Sequence, residues 1–110
     1  MSDKSEIIVG EPFELGESVS YSAGSVVSRT ILKRPAGTIT LFAFAIGEEL
    51  SEHTAPFDAF VSILDGEAEV SIGGTLTTLR GGQSIVMPAN VPHAIKATNQ
   101  FKMMLVMIRS

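Results

Sequence analysis

Turn-forming residue pairs recur at intervals of eight residues in the second half of the chain. The pairs are Asp65-Gly66, Gly73-Gly74, Gly81-Gly82 and Ala89-Asn90. Asp-Gly and Gly-Gly pairs supply the positive φ that two-residue hairpin turns require, and this spacing leaves about six residues for each strand. Short strands at regular spacing are typical of a sandwich or barrel, and no long segment has the 3.6-residue apolar period of a helix. The pattern predicts an all-β fold.

The first half of the chain continues this pattern with less regularity. β-Branched residues are frequent over 26–32 and an apolar run covers 39–46, with the turn residues Pro35-Ala36-Gly37 between them. Upstream, the apolar triplet 7–9 predicts one more strand, whereas the serine-rich segment 18–28 is compatible with an edge strand or a loop. We therefore expect two paired strands, preceded by a less regular segment.

The length and hydrophobicity of the chain suit one domain around one core. It has 110 residues, of which 45% are hydrophobic. We expect a single domain over 1–110, with the core barrel over about 26–109 and an N-terminal strand or arm over 1–25.

The polar N-terminus lacks the apolar centre of a signal peptide, and the longest uncharged stretch, 81–95, contains two prolines and is too short to span a membrane. These features predict a cytoplasmic protein with no membrane partner.

Charge and composition exclude several classes of function. The net charge is −4 and no basic stripe is present, so nucleic acid is not an expected partner. The chain has no cysteine, which excludes disulfides, zinc–thiolate sites, iron–sulfur clusters and cysteine nucleophiles. It also has no G-x-S-x-G elbow, no phosphate-cradling loop and no H-E-x-x-H pair. Any site must be built from other groups.

The Asp65-Gly66 pair, taken as a hairpin turn, predicts which residues face the interior. In that register Leu64 lies opposite Glu67, and each earlier residue lies opposite a correspondingly later one. One face of the ribbon is then entirely apolar and the other is mixed. The apolar face consists of Ala59, Val61, Ile63, Ala68, Val70 and Ile72, and the mixed face of Phe60, Ser62, Leu64, Glu67, Glu69 and Ser71. Period-two alternation assigns the apolar set to the barrel interior.

Two segments resemble the sequence motifs of the cupin family. Residues 47–66, GEELSEHTAPFDAFVSILDG, are similar to the first motif, with Gly47, His53 and Gly66 at the family spacing. Residues 82–97, GQSIVMPANVPHAIKA, are similar to the second motif, and Gly82, Pro88 and His93 match its glycine, proline and histidine. The resemblance implies a small jelly-roll barrel, also called a double-stranded β-helix, with its site at the two histidines.

The chain departs from the family at the remaining motif positions. The second histidine of the family falls on Ala55, its glutamate on Ala59, and a glycine of the second motif on Asn90. The metal site that the resemblance implies has three histidines and one glutamate, whereas this chain supplies only His53 and His93. Two imidazoles alone would hold a divalent iron, manganese, nickel or zinc ion weakly.

Nearby carboxylates are the candidates to complete such a metal site. Asp58 is adjacent to Ala59, but if Ala59 points inward then Asp58 points outward unless a bulge redirects it. Glu52 has the same disadvantage beside His53. Glu48 and Glu49 lie in the preceding turn and can approach the barrel mouth from a loop. The sequence therefore does not assign a cofactor, and a weakly held divalent metal ion is the alternative that it leaves open.

Two functions follow, and the first is favoured. In the first, the barrel binds a small, partly apolar ligand without catalysing a reaction. Its pocket is lined by His53, Ala55, Ala59, Val61, Val70, Met87 and His93. In the second, the protein is a metal-dependent oxygenase, isomerase or lyase, with His53 and His93 as metal ligands completed by a loop carboxylate, water or the substrate. A sensor or assembly module remains a third possibility.

The methionines and the C-terminal strand predict how apolar surface is used. Met87, Met103, Met104 and Met107 can line a ligand pocket or fill core and interface, and we favour filling. Both faces of residues 101–108 are largely apolar, so both should be covered. Because Phe60 and Leu64 add to the outer face, we expect a homodimer that buries this strand.

Overall fold

The computed structural model describes residues 6–109, and these form an antiparallel barrel with the eight strands expected of a jelly roll. The strands are β1 (Val26–Arg34), β2 (Gly37–Phe44), β3 (Glu49–His53), β4 (Ala59–Ile72), β5 (Thr75–Arg80), β6 (Ser84–Met87), β7 (His93–Lys96) and β8 (Phe101–Ile108). A 3-10 helix, Leu15–Glu17, precedes them. The main path of the sheet has the order β1-β2-β8-β4-β7-β3, and β5 and β6 also pair with β4. The all-β prediction is confirmed.

Three of the four predicted turns at eight-residue spacing are confirmed. Gly73-Gly74 joins β4 to β5, Gly81-Gly82 joins β5 to β6, and Ala89-Asn90 lies between β6 and β7. Asn90 is the non-glycine residue with positive φ among those the structure describes, at 64°. Asparagine tolerates this left-handed conformation better than most residues, which explains its place in the turn.

The fourth predicted turn, Asp65-Gly66, is wrong. β4 runs straight through these residues, and Asp65 pairs with Lys102 of β8 instead of ending the strand. The register shifts between Ile63 and Asp65, so the ladder contains a β-bulge, and Gly66 has a φ of 80° there. Up to Gly66, β4 pairs with β6 and β8, whereas beyond it β4 pairs with β5 and β7. The positive φ serves a bulge at a corner between two sheets.

The predicted inward face of β4 is nevertheless correct for most of its residues. Ala59, Val61, Ile63, Ala68 and Val70 are at most 4% exposed. In an unbroken strand Ile63 and Ala68 would face opposite sides because five positions separate them. The extra residue at the bulge reverses the alternation, as the two-residue turn would have done. The inward residues of β4 were therefore predicted correctly, although a bulge and not a hairpin turn produces their arrangement.

The N-terminal residues form an irregular arm instead of a strand. The strand predicted over 7–9 is not formed, and within 18–28 the chain is loop up to Ser25 and strand from Val26. Val19 is 1% exposed and packs with Leu41 and Ala43 on the outside of the barrel. Polar contacts hold the arm in place, because the Tyr21 hydroxyl donates to Asp65 at 2.6 Å and Lys102 Nζ donates to the Gly16 carbonyl at 2.6 Å. Residues 1–5 of the predicted arm lie outside the described part of the chain.

The arm covers one half of the outer face and leaves a row of apolar side chains on the other half. The dimer prediction rested partly on Leu64 and Met104, but both side chains pack against the cluster that Val19 of the arm forms with β2. The uncovered row crosses five strands through cross-strand pairs, and we call it the outer apolar row. It consists of Leu32, Ile39, Val106, Phe60 and Val86. The homodimer stays a prediction, and its expected interface is now confined to this row.

No helix within residues 6–109 is long and apolar enough to cross a membrane.

Candidate functional site

Strand pairing brings the two histidines side by side. His53 ends β3 and His93 begins β7, and the two are direct partners in the antiparallel ladder. A register shift between Leu50 and His53 precedes this pair. The ring centroids lie 4.5 Å apart at an interplanar angle of 67°. His93 is buried, at 4% exposure, whereas His53 is exposed. Residues forty positions apart in the sequence thus form one polar feature at the barrel mouth.

A backbone carbonyl holds one nitrogen of each imidazole. His53 Nδ1 lies 2.8 Å from the Ser51 carbonyl oxygen, and His93 Nδ1 lies 3.1 Å from that of Val91. A carbonyl oxygen can only accept, so each Nδ1 carries the proton and donates it. In the neutral ring this leaves the lone pair on Nε2. Both rings therefore have the same tautomer, and each offers one acceptor atom to its surroundings.

The two rings form part of the wall of a small cavity between the sheets. Its volume is about 60 Å³. Since an enclosed water needs about 10–15 Å³ of such space, the cavity has room for about five water-sized groups. Apart from the histidines the wall is aliphatic or thioether. It is lined by Leu50, His53, Ala55, Ala59, Met87, His93, Ile95, Met103, Leu105 and Met107. The cavity is apolar with a polar feature at one place.

The structure brings together five of the seven pocket residues named from the sequence. His53, Ala55, Ala59, Met87 and His93 line the cavity, whereas Val61 and Val70 are fully buried in the core cluster and do not line it. Both valines do point inward, but an inward side chain borders the cavity only where facing side chains leave space. Leu50 and Ile95, which sequence reasoning missed, are cross-strand partners next to the histidine pair. Placing Leu50 and Ile95 in the wall requires knowing that β3 pairs with β7, which the sequence did not show.

β8 supplies the other wall residues, of which Leu105 was not considered from the sequence and the two methionines were assigned to core or interface filling. Met103, Leu105 and Met107 alternate along β8 and face the cavity, whereas Met104 faces the arm. Met103 and Met87 also belong to the core cluster. The two alternatives for these methionines, pocket lining and core filling, thus describe the same side chains. The alternation of residues 101–108 was the available signal.

The nearby carboxylates do not join the histidines. Asp58 is exposed and accepts a hydrogen bond from the Ala89 backbone N–H at 2.8 Å, so it caps a loop and points outward as predicted. Glu49 and Glu52 are exposed and Glu48 is half-buried, and Glu49 begins β3 instead of lying in the preceding turn. Among residues 6–109, no group of three or more histidine, cysteine, aspartate or glutamate side chains is placed to hold a metal ion. The residues present do not fit the four-ligand site that the family resemblance implies, because they provide two of its ligands.

Comparison with known proteins adds a family model and several solved structures. The model described as "Cupin domain" matches residues 40–109. A conserved protein of unknown function from Streptococcus pyogenes is 36% identical, with a TM-score of 0.90 over 100% of this chain and 96% of that chain. A cupin 2 conserved barrel domain protein from Leptotrichia buccalis is 40% identical, with a TM-score of 0.85 over 88% of this chain and 47% of that chain.

A third structure, a cupin superfamily protein from Desulfitobacterium hafniense, is 26% identical to this chain. Its TM-score is 0.89, and the match covers 99% of this chain and 100% of that chain. No curated protein matches this chain. The similarity therefore extends over the whole described barrel, including the strands that carry the two histidines.

Proposed function

The chain belongs to the cupin family, and on this premise we propose that it binds a small, partly apolar molecule in the cavity beside His53 and His93. One observation carries the proposal: an apolar cavity contains two imidazoles whose Nε2 acceptors have no protein partner among residues 6–109. Small-molecule sites typically combine an apolar wall with a few polar groups that orient the ligand.

The alanines at the family's other ligand positions favour binding over metal chemistry. Ala55 and Ala59 each present a methyl group where the family motif has a metal-binding side chain. Their small size leaves space, and three methionines in the wall can adapt to a ligand by rotating about their flexible side-chain bonds. This site has apolar contacts and two imidazoles, and within residues 6–109 no cysteine, carboxylate or third histidine joins them to form a larger group. Binding without catalysis is the function that these groups support.

Ligand-detected changes at the methionine methyl groups test this function. We expect that, in a set of neutral solutes of about three to six heavy atoms, some shift the NMR signals of Met87, Met103 and Met107. The signal of Met104, on the outer face, should stay in place. The variant Ala55→Leu fills the cavity mouth and should abolish the shifts, whereas Thr54→Leu changes the exposed neighbouring position and should retain them. No shift with any solute, or equal shifts in both variants, would refute the proposal.

The tautomers of the histidines also favour a second candidate, a metal-dependent oxygenase, isomerase or lyase. Metal-ligating histidines usually donate the other ring N–H to a carbonyl or carboxylate, as His53 and His93 do here. With two protein ligands, water or the substrate would have to complete the coordination. Elemental analysis of protein purified without a histidine tag separates the candidates. Near-stoichiometric iron, manganese, nickel or zinc that is lost in a His53→Ala, His93→Ala double variant would establish the second one.

A further inference from the structure

The hydrogen bonds of the two imidazoles determine the polarity of the group that they can bind. Each Nδ1 is committed as a donor to a backbone carbonyl, at 2.8 Å for His53 and 3.1 Å for His93. A neutral imidazole has one donor and one acceptor nitrogen, so only the acceptor remains. Each imidazole that borders the cavity thus keeps one lone pair, at Nε2, and a ligand that bonds to it must bring the hydrogen atom.

The remaining side chains of the wall offer no donor to a ligand. They belong to alanine, leucine, isoleucine and methionine, and the methionine sulfur is at best a weak acceptor. A carboxylate or phosphate has only acceptor oxygens, so its lone pairs would oppose those of Nε2 on a neutral ring, and binding it through a protonated ring would still bury its charge against an apolar wall. An ammonium ion can donate, but no carboxylate in the wall offsets the cost of burying its charge. Neutral donors are the class that remains.

Resting on the function proposed above, we infer that the ligand is a small neutral hydroxyl compound that donates to the histidines. The closeness of the rings, 4.5 Å between centroids, allows the adjacent hydroxyls of a vicinal diol to reach one ring each. The cavity volume of about 60 Å³ limits the enclosed part to about five heavy atoms. The apolar side of the molecule packs on Ala55, Ala59 and the methionines. A short-chain 1,2-diol has all of these properties.

Four small probes separate hydrogen-bond donation from mere occupancy of the cavity. The titrations follow the methionine methyl signals in the presence of a chelator, with 1,2-propanediol, 2-propanol, acetone and acetate as probes. 2-Propanol and acetone have the same number of heavy atoms, but only 2-propanol donates. We expect the diol and 2-propanol to bind at least about tenfold more tightly than acetone and acetate, since the latter two leave both acceptors unpaired.

The outcomes distinguish failure of this inference from failure of the proposed function. If acetone binds as tightly as 2-propanol, or acetate binds most tightly, the donor inference is wrong although the cavity still binds small molecules. If none of the four probes moves the methyl signals of Met87, Met103 and Met107, the inference is refuted. The function above is then judged by the wider set of neutral solutes.

A matched pair of variants links the preference to one histidine. His53→Phe keeps an aromatic ring at an exposed position and removes its acceptor. We expect this variant to reduce the preference for the diol over acetone at least about threefold, with little change in acetone binding. Glu52→Gln, at the adjacent exposed position of β3, should keep the wild-type preference. An unchanged preference in His53→Phe would overturn the assignment of that ring.

Discussion

Gly66 marks the point where β4 crosses between the two sheets, and replacing it with alanine is expected to destabilise the protein for two separate reasons. Its φ of 80° lies in the left-handed region, which costs a residue with a Cβ about 1–2 kcal/mol. An added Cβ would also collide with the Gln100 carbonyl oxygen and lie 2.9 Å from the Phe101 Cα. Both neighbours are backbone, so relief requires β4 or β8 to move. Such overpacking costs about 1–3 kcal/mol.

Two other glycines separate these causes. Gly74 has a φ of 87° but nothing within 4 Å of an added Cβ, so Gly74→Ala tests the backbone conformation alone. Gly37 lies outside the left-handed region, but its added Cβ would collide with the Met107 carbonyl oxygen, so Gly37→Ala tests the collision alone. We expect losses of about 1–2 kcal/mol for Gly74→Ala and about 1–3 kcal/mol for Gly37→Ala. Gly66→Ala should lose about their sum, roughly 2–5 kcal/mol.

Equilibrium urea unfolding of the wild type and the three variants measures these losses. The free energy of unfolding is compared at equal m-values, because a changed m-value would indicate a change in the native or denatured ensemble. The reasoning is refuted if Gly66→Ala and Gly74→Ala agree within about 0.5 kcal/mol, because the close approach of β4 to the Gln100–Phe101 backbone would then be absent. A Gly66→Ala variant as stable as the wild type would also contradict the bulge.

Two further predictions concern the arm and the outer apolar row. Burial, the hydrogen bond to Asp65 and the charge of Asp65 raise the pKa of Tyr21 well above the usual value near 10. Tyr21 therefore stabilises the fold below that pH and loses this effect as the pH rises further. Tyrosinate absorbance of this single tyrosine should appear at higher pH in folded than in urea-unfolded protein, and equal titrations would contradict the contact. For the row, we expect a hydrodynamic mass of two chains at micromolar concentration and of one chain for Phe60→Lys. A one-chain mass for the wild type would exclude the dimer.

Local sequence signals predicted the strands well and failed where the same signal serves two structures. Glycine pairs mark positions of positive φ, and at Gly73-Gly74 and Gly81-Gly82 the chain does turn back. Asp65-Gly66 carries the same signal, but partners on both sides of β4 favour a continuous strand with a bulge. Whether such partners exist depends on strands distant in the sequence. The triplet 7–9 illustrates the converse, because an apolar run without a partner strand forms no strand.

The site was predictable where a motif placed it and not where distant strands complete it. His53 and His93 were found through the two motifs, and Ala55 and Ala59 through the first motif alone. The wall contributed by β8 depends on its position beside β4, which no local pattern encodes. The donor role of each Nδ1 depends on backbone carbonyls two residues away, which only coordinates reveal.

The central place of β8 also bears on the order in which the barrel can assemble during synthesis. β1 and β2 leave the ribosome early and can form their hairpin at once. The other edge of β2 pairs with β8, so Gly37 has no partner there until Ile108 has been synthesised. Until then the free edge of β2 can pair with any extended chain that it meets. Because so many of the pairings are distant in sequence, we expect slow folding that is sensitive to chaperones. The strand that closes the cavity is thus also the one on which completion of the nascent barrel depends.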